Sequence, residues 1–164
     1  MANSIKEIVQ AMDDNWPECA ETVSPALLRL LQVSNLCNHQ VEVLVGSYDL
    51  QRAEFSVLST LRRSPMPYSL SPTALYRAMI FSSGGLTKVL NRLSQAGLID
   101  RIDNPEDKRS KLVQLTIAGK QLIETVMYEL HQKERNTLSV LSVDELQQLD
   151  SLMQRVLARE NATD

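Results

Sequence analysis

The sequence predicts a mainly α-helical fold carrying one small β-hairpin, and three observations predict it. Most of the 164 residues lie in runs whose apolar positions recur every three or four residues, the pattern of helices with one buried face. Two short alternating runs, "LIDRID" (98–103) and "KLVQLT" (111–116), flank a connection rich in Pro, Asn and Asp, which reads as a hairpin. Charge is segregated: residues 60–120 hold ten Lys/Arg against four Asp/Glu, while the flanks together hold seven against sixteen.

Taken in order, residues 4–12 form a short helix. A long helix follows, with Ser24 as N-cap, Pro25 at the first helical position and an end near Gly46. Its apolar stripe runs through Leu27, Leu31, Leu36, Val41 and Leu44. Residues 52–64 put Phe55, Leu58 and Leu61 at helical spacing, and "SPMPY" then breaks the chain. Ser71 and Pro72 start the next helix, "PTALYRAM", with Leu75 and Met79 on one face. A helix over 83–96 is capped by Ser82 or Ser83 and ended by Gly97 in the left-handed conformation that glycine adopts at least cost. Leu86, Leu90 and Leu93 make its buried face. Gly84 and Gly85 fall in its first turn, where each costs about 1 kcal/mol relative to alanine, so close approach of another backbone is expected there. After the hairpin a long helix begins near Thr116. The last starts at Ser142, with Glu145 at capping-box spacing and Leu146, Leu149, Met153, Val156 and Leu157 as its stripe.

Helices, a helix-turn-helix, a two-stranded hairpin and helices again are the order of a winged helix-turn-helix set between long N- and C-terminal helices. The chain is expected to be a single domain over 1–164, long enough to bury a real core. Residues 50–116 would be its winged helix-turn-helix part. The arms, 1–48 and 117–164, are more apolar than a small monomer covers, so they are expected to be the dimerisation region of a homodimer joined by isologous contact.

Composition narrows the function. With 43% hydrophobic and 23% charged residues the chain is an ordinary globular protein, and no apolar run approaches the roughly 18–20 residues that span a bilayer. The N-terminus carries acids and lacks a signal-peptide core, so a cytoplasmic address is expected, with no membrane partner. Two cysteines make no disulfide framework and have no metal-ligand spacing. His39 and His131 lie on amphipathic helices, and no nucleophile motif or phosphate-binding loop accompanies them. No metal, cofactor or catalytic residue is expected.

A basic middle between acidic flanks is instead the electrostatic footprint of a polyanion site. On the helix over 83–96, Thr87, Lys88 and Asn91 share the polar face, with Arg92 at its edge. A helix fits the major groove of double-stranded DNA, where a hydroxyl, a cation and an amide able to pair with adenine have work to do. Arg92 would take a phosphate or a guanine. Ser82, Ser83 and the first free N–H groups would hold a phosphate at the helix end. At the hairpin tip, Arg109 would enter a minor groove, braced by an ion pair with Asp107, while Lys108 and Lys111 reach flanking phosphates.

The residues also resemble a known family. "PEDKRSKLVQLTIAG" carries Asp107-x-Arg109-Ser110, then Val113-x-Leu115-Thr116-x-x-Gly119, and is similar to the wing and following helix start of the MarR family of bacterial transcription regulators. "LSPTALYRAMIFSSGGLTKVLNRLSQAGLIDR" resembles that family's helix-turn-helix; the match covers about residues 50–119 and is architectural outside them. The resemblance implies a homodimer on a pseudo-palindromic operator, most simply a repressor released by a small-molecule effector. It places the major-groove helix at Ser83, Thr87, Lys88 and Asn91, and the minor-groove arginine at Arg109 with Asp107 as brace.

Trp16 ahead of the long helix, with "EFSVLSTLRRS" later, resembles the branch that includes urate-responsive regulators. That branch has an N-terminal tryptophan, an aspartate after the Glu-Phe pair and an arginine inside the recognition helix. This chain keeps Trp16 and has Arg101 at the start of the wing, but Ser56 replaces the aspartate and Val89 the arginine. With Trp16, Ser56 and Arg101 as its candidate contacts, the expected effector is a small aromatic or anionic molecule less polar than urate. Two alternatives stay open: a redox-responsive regulator using Cys19 or Cys37, and a winged-helix module whose basic face binds another protein.

Overall fold

The computed structural model describes every residue except 1–3, 80–84, 106, 108 and 162–164. The chain divides into two units, Met1–Asp49 and Leu50–Asp164. In the first, α1 (Ile5–Asn15), α2 (Pro17–Ala20) and α3 (Pro25–Gly46) follow one another, and α1 packs on both α2 and α3. Ser4 starts α1 by a capping box with Glu7, and the Ser24 hydroxyl accepts the Leu27 N–H at 3.3 Å to start α3. The apolar stripe expected along α3 divides: Leu44 is buried, whereas Leu27, Leu31 and Leu36 stand about half exposed in the single chain. The short turn of α2, begun by Pro17, follows Trp16 directly and breaks what the sequence reads as one connection.

The second unit is built around α4 (Arg52–Arg63), whose Phe55, Val57, Leu58 and Leu61 are buried. It packs on α5 (Pro72–Ala78), α6 (Leu86–Gln95), α7 (Ile117–Leu138) and the sheet. Around it close Leu75 of α5, Leu90 and Leu93 of α6, and Ile123 and Val126 of α7. Each such fully buried side chain contributes roughly 1.5–3 kcal/mol of transfer free energy. Arg63 ties the C-terminal ends of α4 and α5, donating to the carbonyl of Ala78 and to the Thr60 hydroxyl.

The hairpin forms where the alternating runs place it, as β2 (Ile99–Asp103) and β3 (Lys111–Leu115), in antiparallel register from Ile99 opposite Leu115 to Asp103 opposite Lys111. A two-residue strand, β1 (Ser69–Leu70), adds to the other edge of β3 and gives the order β1-β3-β2. The "SPMPY" break thus leads into a strand. The Tyr68 carbonyl accepts the Leu115 N–H, and the Gln114 amide donates to the Pro67 carbonyl, so β1 exists because β3 holds it. The fold is mainly α-helical with a winged helix-turn-helix, as the sequence predicts.

The helix after the turn departs from expectation. It starts at Leu86, three residues later than predicted, and Gly85 is its N-cap with φ of 86°. A positive φ is incompatible with a place in the helix, so Gly85 serves as a left-handed entry and not as a first-turn residue. Among the described residues an added Cβ on Gly85 would meet nothing within 4 Å, so none of them approaches closely enough to require a glycine there. The expected caps Ser82 and Ser83, and Gly84, lie outside the described residues. At its other end α6 stops at Gly97, with φ of 69°, and the Leu98 N–H returns to the Leu93 carbonyl.

Thr116 caps α7 by accepting the Gly119 N–H at 3.0 Å, and its own hydroxyl donates to the Gly97 carbonyl at 2.8 Å. The junction of α6, β2 and α7 is therefore one hydrogen-bonded knot. Beyond it α8 (Val143–Asn161) begins with the expected capping box, the Ser142 N–H and hydroxyl donating to Glu145. Among the described residues α8 buries none of its side chains, and Leu152, Val156 and Leu157 are more than half exposed. No helix among the described residues is long and apolar enough to cross a membrane.

Two outcomes follow from this packing. Gly119 sits so close to the Leu98 carbonyl that a methyl group would overlap it. Gly119→Ala is expected to lower stability by about 1–3 kcal/mol in urea denaturation, and unchanged stability would contradict the packing. The Ser142 backbone N–H and then its hydroxyl hold the Glu145 carboxyl below its ordinary value of 4.5. A depressed folded value stabilises above the unfolded one. The stability advantage of wild type over Glu145→Gln should therefore be present at neutral pH and shrink as the pH falls below 4.5.

Candidate nucleic-acid interface

Helix α6 turns Val89, Leu90 and Leu93 inward, which leaves Thr87, Lys88, Asn91 and Arg92 exposed. Such segregation follows from the 3.6-residue period: the apolar positions bury against α4 and the polar ones are left on the outer face. Thr87 and Lys88 stand in the first turn, near the free N–H groups of the helix start. Among the described residues neither side chain has a partner, so both are available to an external ligand.

Arg92 is held differently. Its Nε donates to Glu54 Oε1 at 2.9 Å, while Glu54 Oε2 accepts the Gln51 N–H at 2.7 Å. Glu54 is only 2% exposed, so this carboxylate caps α4 and grips α6 from within the core. The expected phosphate or guanine contact at Arg92 thus competes with an internal partner, although its side chain remains 42% exposed. Sequence reading missed Glu54 as a site residue. The only available signal was Glu54 standing three residues after Gln51, at capping-box spacing.

The described residues at the tip of the wing are tied to one another by hydrogen bonds. Ser110 donates its N–H and its hydroxyl to the Asp107 carbonyl, and Asn104 donates to the Ser110 hydroxyl at 2.9 Å. Asp107 Oδ1 accepts the backbone N–H of Arg109 at 3.0 Å. The expected brace exists, but it acts on the main chain of Arg109 and not through an ion pair with its guanidinium. No described side chain pairs with that guanidinium, which is exposed. Lys111 is tied across the hairpin to Asp103, which opposes it in register. Lys108 lies outside the described residues.

Of the candidate effector contacts, Trp16 belongs to the first unit, where it joins α1 to α2 and is 60% exposed. Ser56 is buried on α4. Arg101 lies on β2 and donates from Nη2 to Asn91 Oδ1 at 2.9 Å, which places it against the outer face of α6. Cys19 and Cys37 are both free thiols, half-buried in the first unit.

Comparison with known proteins sets this geometry among relatives. The model of the MarR family matches residues 48–110. The chain is 36% identical to the transcriptional regulator PecS of Dickeya dadantii, over 93% of this chain and 92% of that one. It is 30% identical to the multiple antibiotic resistance protein MarR of Escherichia coli, over 80% and 92% respectively. The crystal structure of wild-type Escherichia coli MarR in its apo form superposes with a TM-score of 0.68 at 27% identity, covering 82% of this chain and 98% of that one.

The Glu54 clamp makes the two ends of its ion pair unequal. Arg92→Ala leaves the buried Glu54 carboxylate with only the Gln51 N–H as partner and should cost about 1–3 kcal/mol, the penalty for an under-satisfied buried acceptor. A surface cation such as Lys88, replaced by alanine, should move stability by less than about 0.5 kcal/mol. Equal effects in denaturant titrations would place the Arg92 side chain in solvent.

Proposed function

This chain belongs to the MarR family of DNA-binding transcription regulators, and from that premise we propose that it works as a homodimeric, cytoplasmic repressor of a pseudo-palindromic operator. The observation that carries the reading is the shared exposure of Thr87, Lys88 and Asn91 on α6 and of Arg109 at the tip of the adjoining wing. Helix α6 enters the major groove, where Thr87 and Lys88 meet the backbone and Asn91 a base edge. By the sequence pattern alone Ser82, Ser83 and Lys108 add phosphate contacts, and Arg92 and Lys111 do so with the N–H groups their internal partners leave free. Arg109, its main chain braced by Asp107, enters the flanking minor groove, where a narrow A·T stretch concentrates negative potential.

The arms support a pair. Leu27, Leu31 and Val43 of α3, Tyr128 of α7 and Leu152, Val156 and Leu157 of α8 are each at least half exposed in the single chain. Apolar surface on that scale marks an interface, and isologous contact buries it twice over. Residues 1–48 and 117–164 serve as dimerisation arms and 50–116 as the reading head. Release from DNA falls to a small aromatic or anionic effector, for which the candidate contacts, each taken within its own unit, are the exposed Trp16 of the first and the exposed Arg101 and buried Ser56 of the second. Regulation, not catalysis, is the work of the chain.

The test is operator binding at several salt concentrations. A dimer should bind an inverted repeat whose half-sites lie about one helical turn apart, with affinity falling steeply with salt. Arg109→Ala should reduce the salt slope by about one and weaken the preference for A·T flanks. Binding that ignores both sequence and salt would favour a protein partner for this face instead. Loss of operator binding in a screen of small aromatic acids would identify the effector class.

A further inference from the structure

Among the described residues one polar contact joins the wing to the outer face of α6: Arg101 Nη2 donates to Asn91 Oδ1 at 2.9 Å. Strand alternation accounts for its reach. Ile99 is fully buried, and Arg101, two residues on, projects from the same side of β2, past the edge of the core toward α6. The register agrees, since Arg101 lies opposite the buried Val113. Among the described residues no carboxylate pairs with Arg101, whereas Arg92 has Glu54 and Lys111 has Asp103. Asn91 is thus the group that orders this guanidinium, and the guanidinium in turn orders the amide.

The direction of that ordering follows from chemistry alone. A guanidinium carries five donors and no acceptor, so only the amide oxygen of Asn91 can meet it. The amide nitrogen must then occupy the other branch. An exposed asparagine with no such neighbour would rotate its amide freely and offer either group.

We propose that Arg101 is a positioning residue for base reading, which holds Asn91 so that its Nδ2 donor faces the major groove. The base pair read by Asn91 is then one whose groove edge offers acceptors, guanine through N7 and O6, in preference to adenine. Adenine needs an amide that accepts from N6 and donates to N7 side by side, and Arg101 turns the oxygen toward β2, so its second lone pair is out of line for N6 while the amide nitrogen faces the groove. The inference rests on the reading of α6 as the groove helix. It replaces the adenine pairing that the sequence alone suggests for Asn91, and it makes Arg101 part of the reading head.

The test is competitive binding of the dimeric protein to operators carrying each of the four base pairs at every half-site position. Wild type, Asn91→Ala, Arg101→Ala, Arg101→Lys and the Asn91→Ala/Arg101→Ala double variant are compared. The position at which Asn91→Ala flattens the preference identifies the base that Asn91 reads. There wild type should favour guanine over adenine by about tenfold or more. Arg101→Ala should abolish that ratio while leaving other positions unchanged, and should have no further effect at that position in the Asn91→Ala background. Arg101→Lys keeps the charge without the fixed fork, so it should retain most of the affinity but lose most of the ratio. A guanine preference that survives Arg101→Ala would overturn the proposal. So would an Arg101→Ala effect equally large without Asn91, which would mean that Arg101 reads a base itself. If Asn91→Ala flattens no position at all, the groove-helix reading fails and the proposal falls with it.

Discussion

A carboxylate in the core governs how this molecule presents its outer face. Glu54 uses both oxygens, one on the N-cap N–H of α4 and one on the Arg92 guanidinium of α6, and it is almost wholly removed from water. A buried ion pair is a weak source of net stability, because desolvation offsets most of the attraction. Its consequence here is orientational. Apolar contacts between Leu90, Leu93 and α4 tolerate sliding and rotation by small angles, whereas a bond from Arg92 to a fixed carboxylate does not. In the proposed role of α6 as the groove helix, this bond from Glu54 to Arg92 helps hold the face that carries Thr87, Lys88 and Asn91.

The same economy runs through the basic middle of the chain. Ten cations gather between residues 60 and 120, yet several of them have internal duties. Arg62 pairs with Glu124 and stacks on the Tyr68 ring, Arg63 holds α5, Arg92 holds Glu54 and Lys111 holds Asp103. Lys88 and Arg109 stand free of such ties among the described residues. The local excess of positive charge also acts as a long-range field that steers a polyanion, and in the proposed interface Arg92 and Lys111 have only the N–H groups left free by their internal partners to offer a duplex.

Much of the fold was legible because its signals are local. Ser24, Ser71, Thr116 and the Ser142–Glu145 pair each cap a helix within three residues of themselves, and the alternation of Ile99 to Asp103 against Lys111 to Leu115 sets a hairpin without outside help. What escaped was long-range or conformational. β1 is two residues that pair only because β3 is there. Gly85 looks like a helix residue in a string of letters, and only its positive φ shows it to be the entry. Glu54 and Arg92 are 38 positions apart, and Asn91 and Arg101 belong to different elements, so neither pairing has a spacing to betray it. The polar face of α6 was readable from periodicity, while which of its members look inward was not.

In the proposed reading a second copy covers the exposed apolar rows of α3 and α8, and a duplex meets the exposed polar row of α6. The most direct check on both together is a hydroxyl-radical footprint of the full-length protein on an operator selected from random sequence. Two blocks of protected sugars related by a dyad, each with its strongest minor-groove protection at the flank where a wing lies, is the predicted pattern. A single block without symmetry, or protection spread evenly along the duplex, would contradict it.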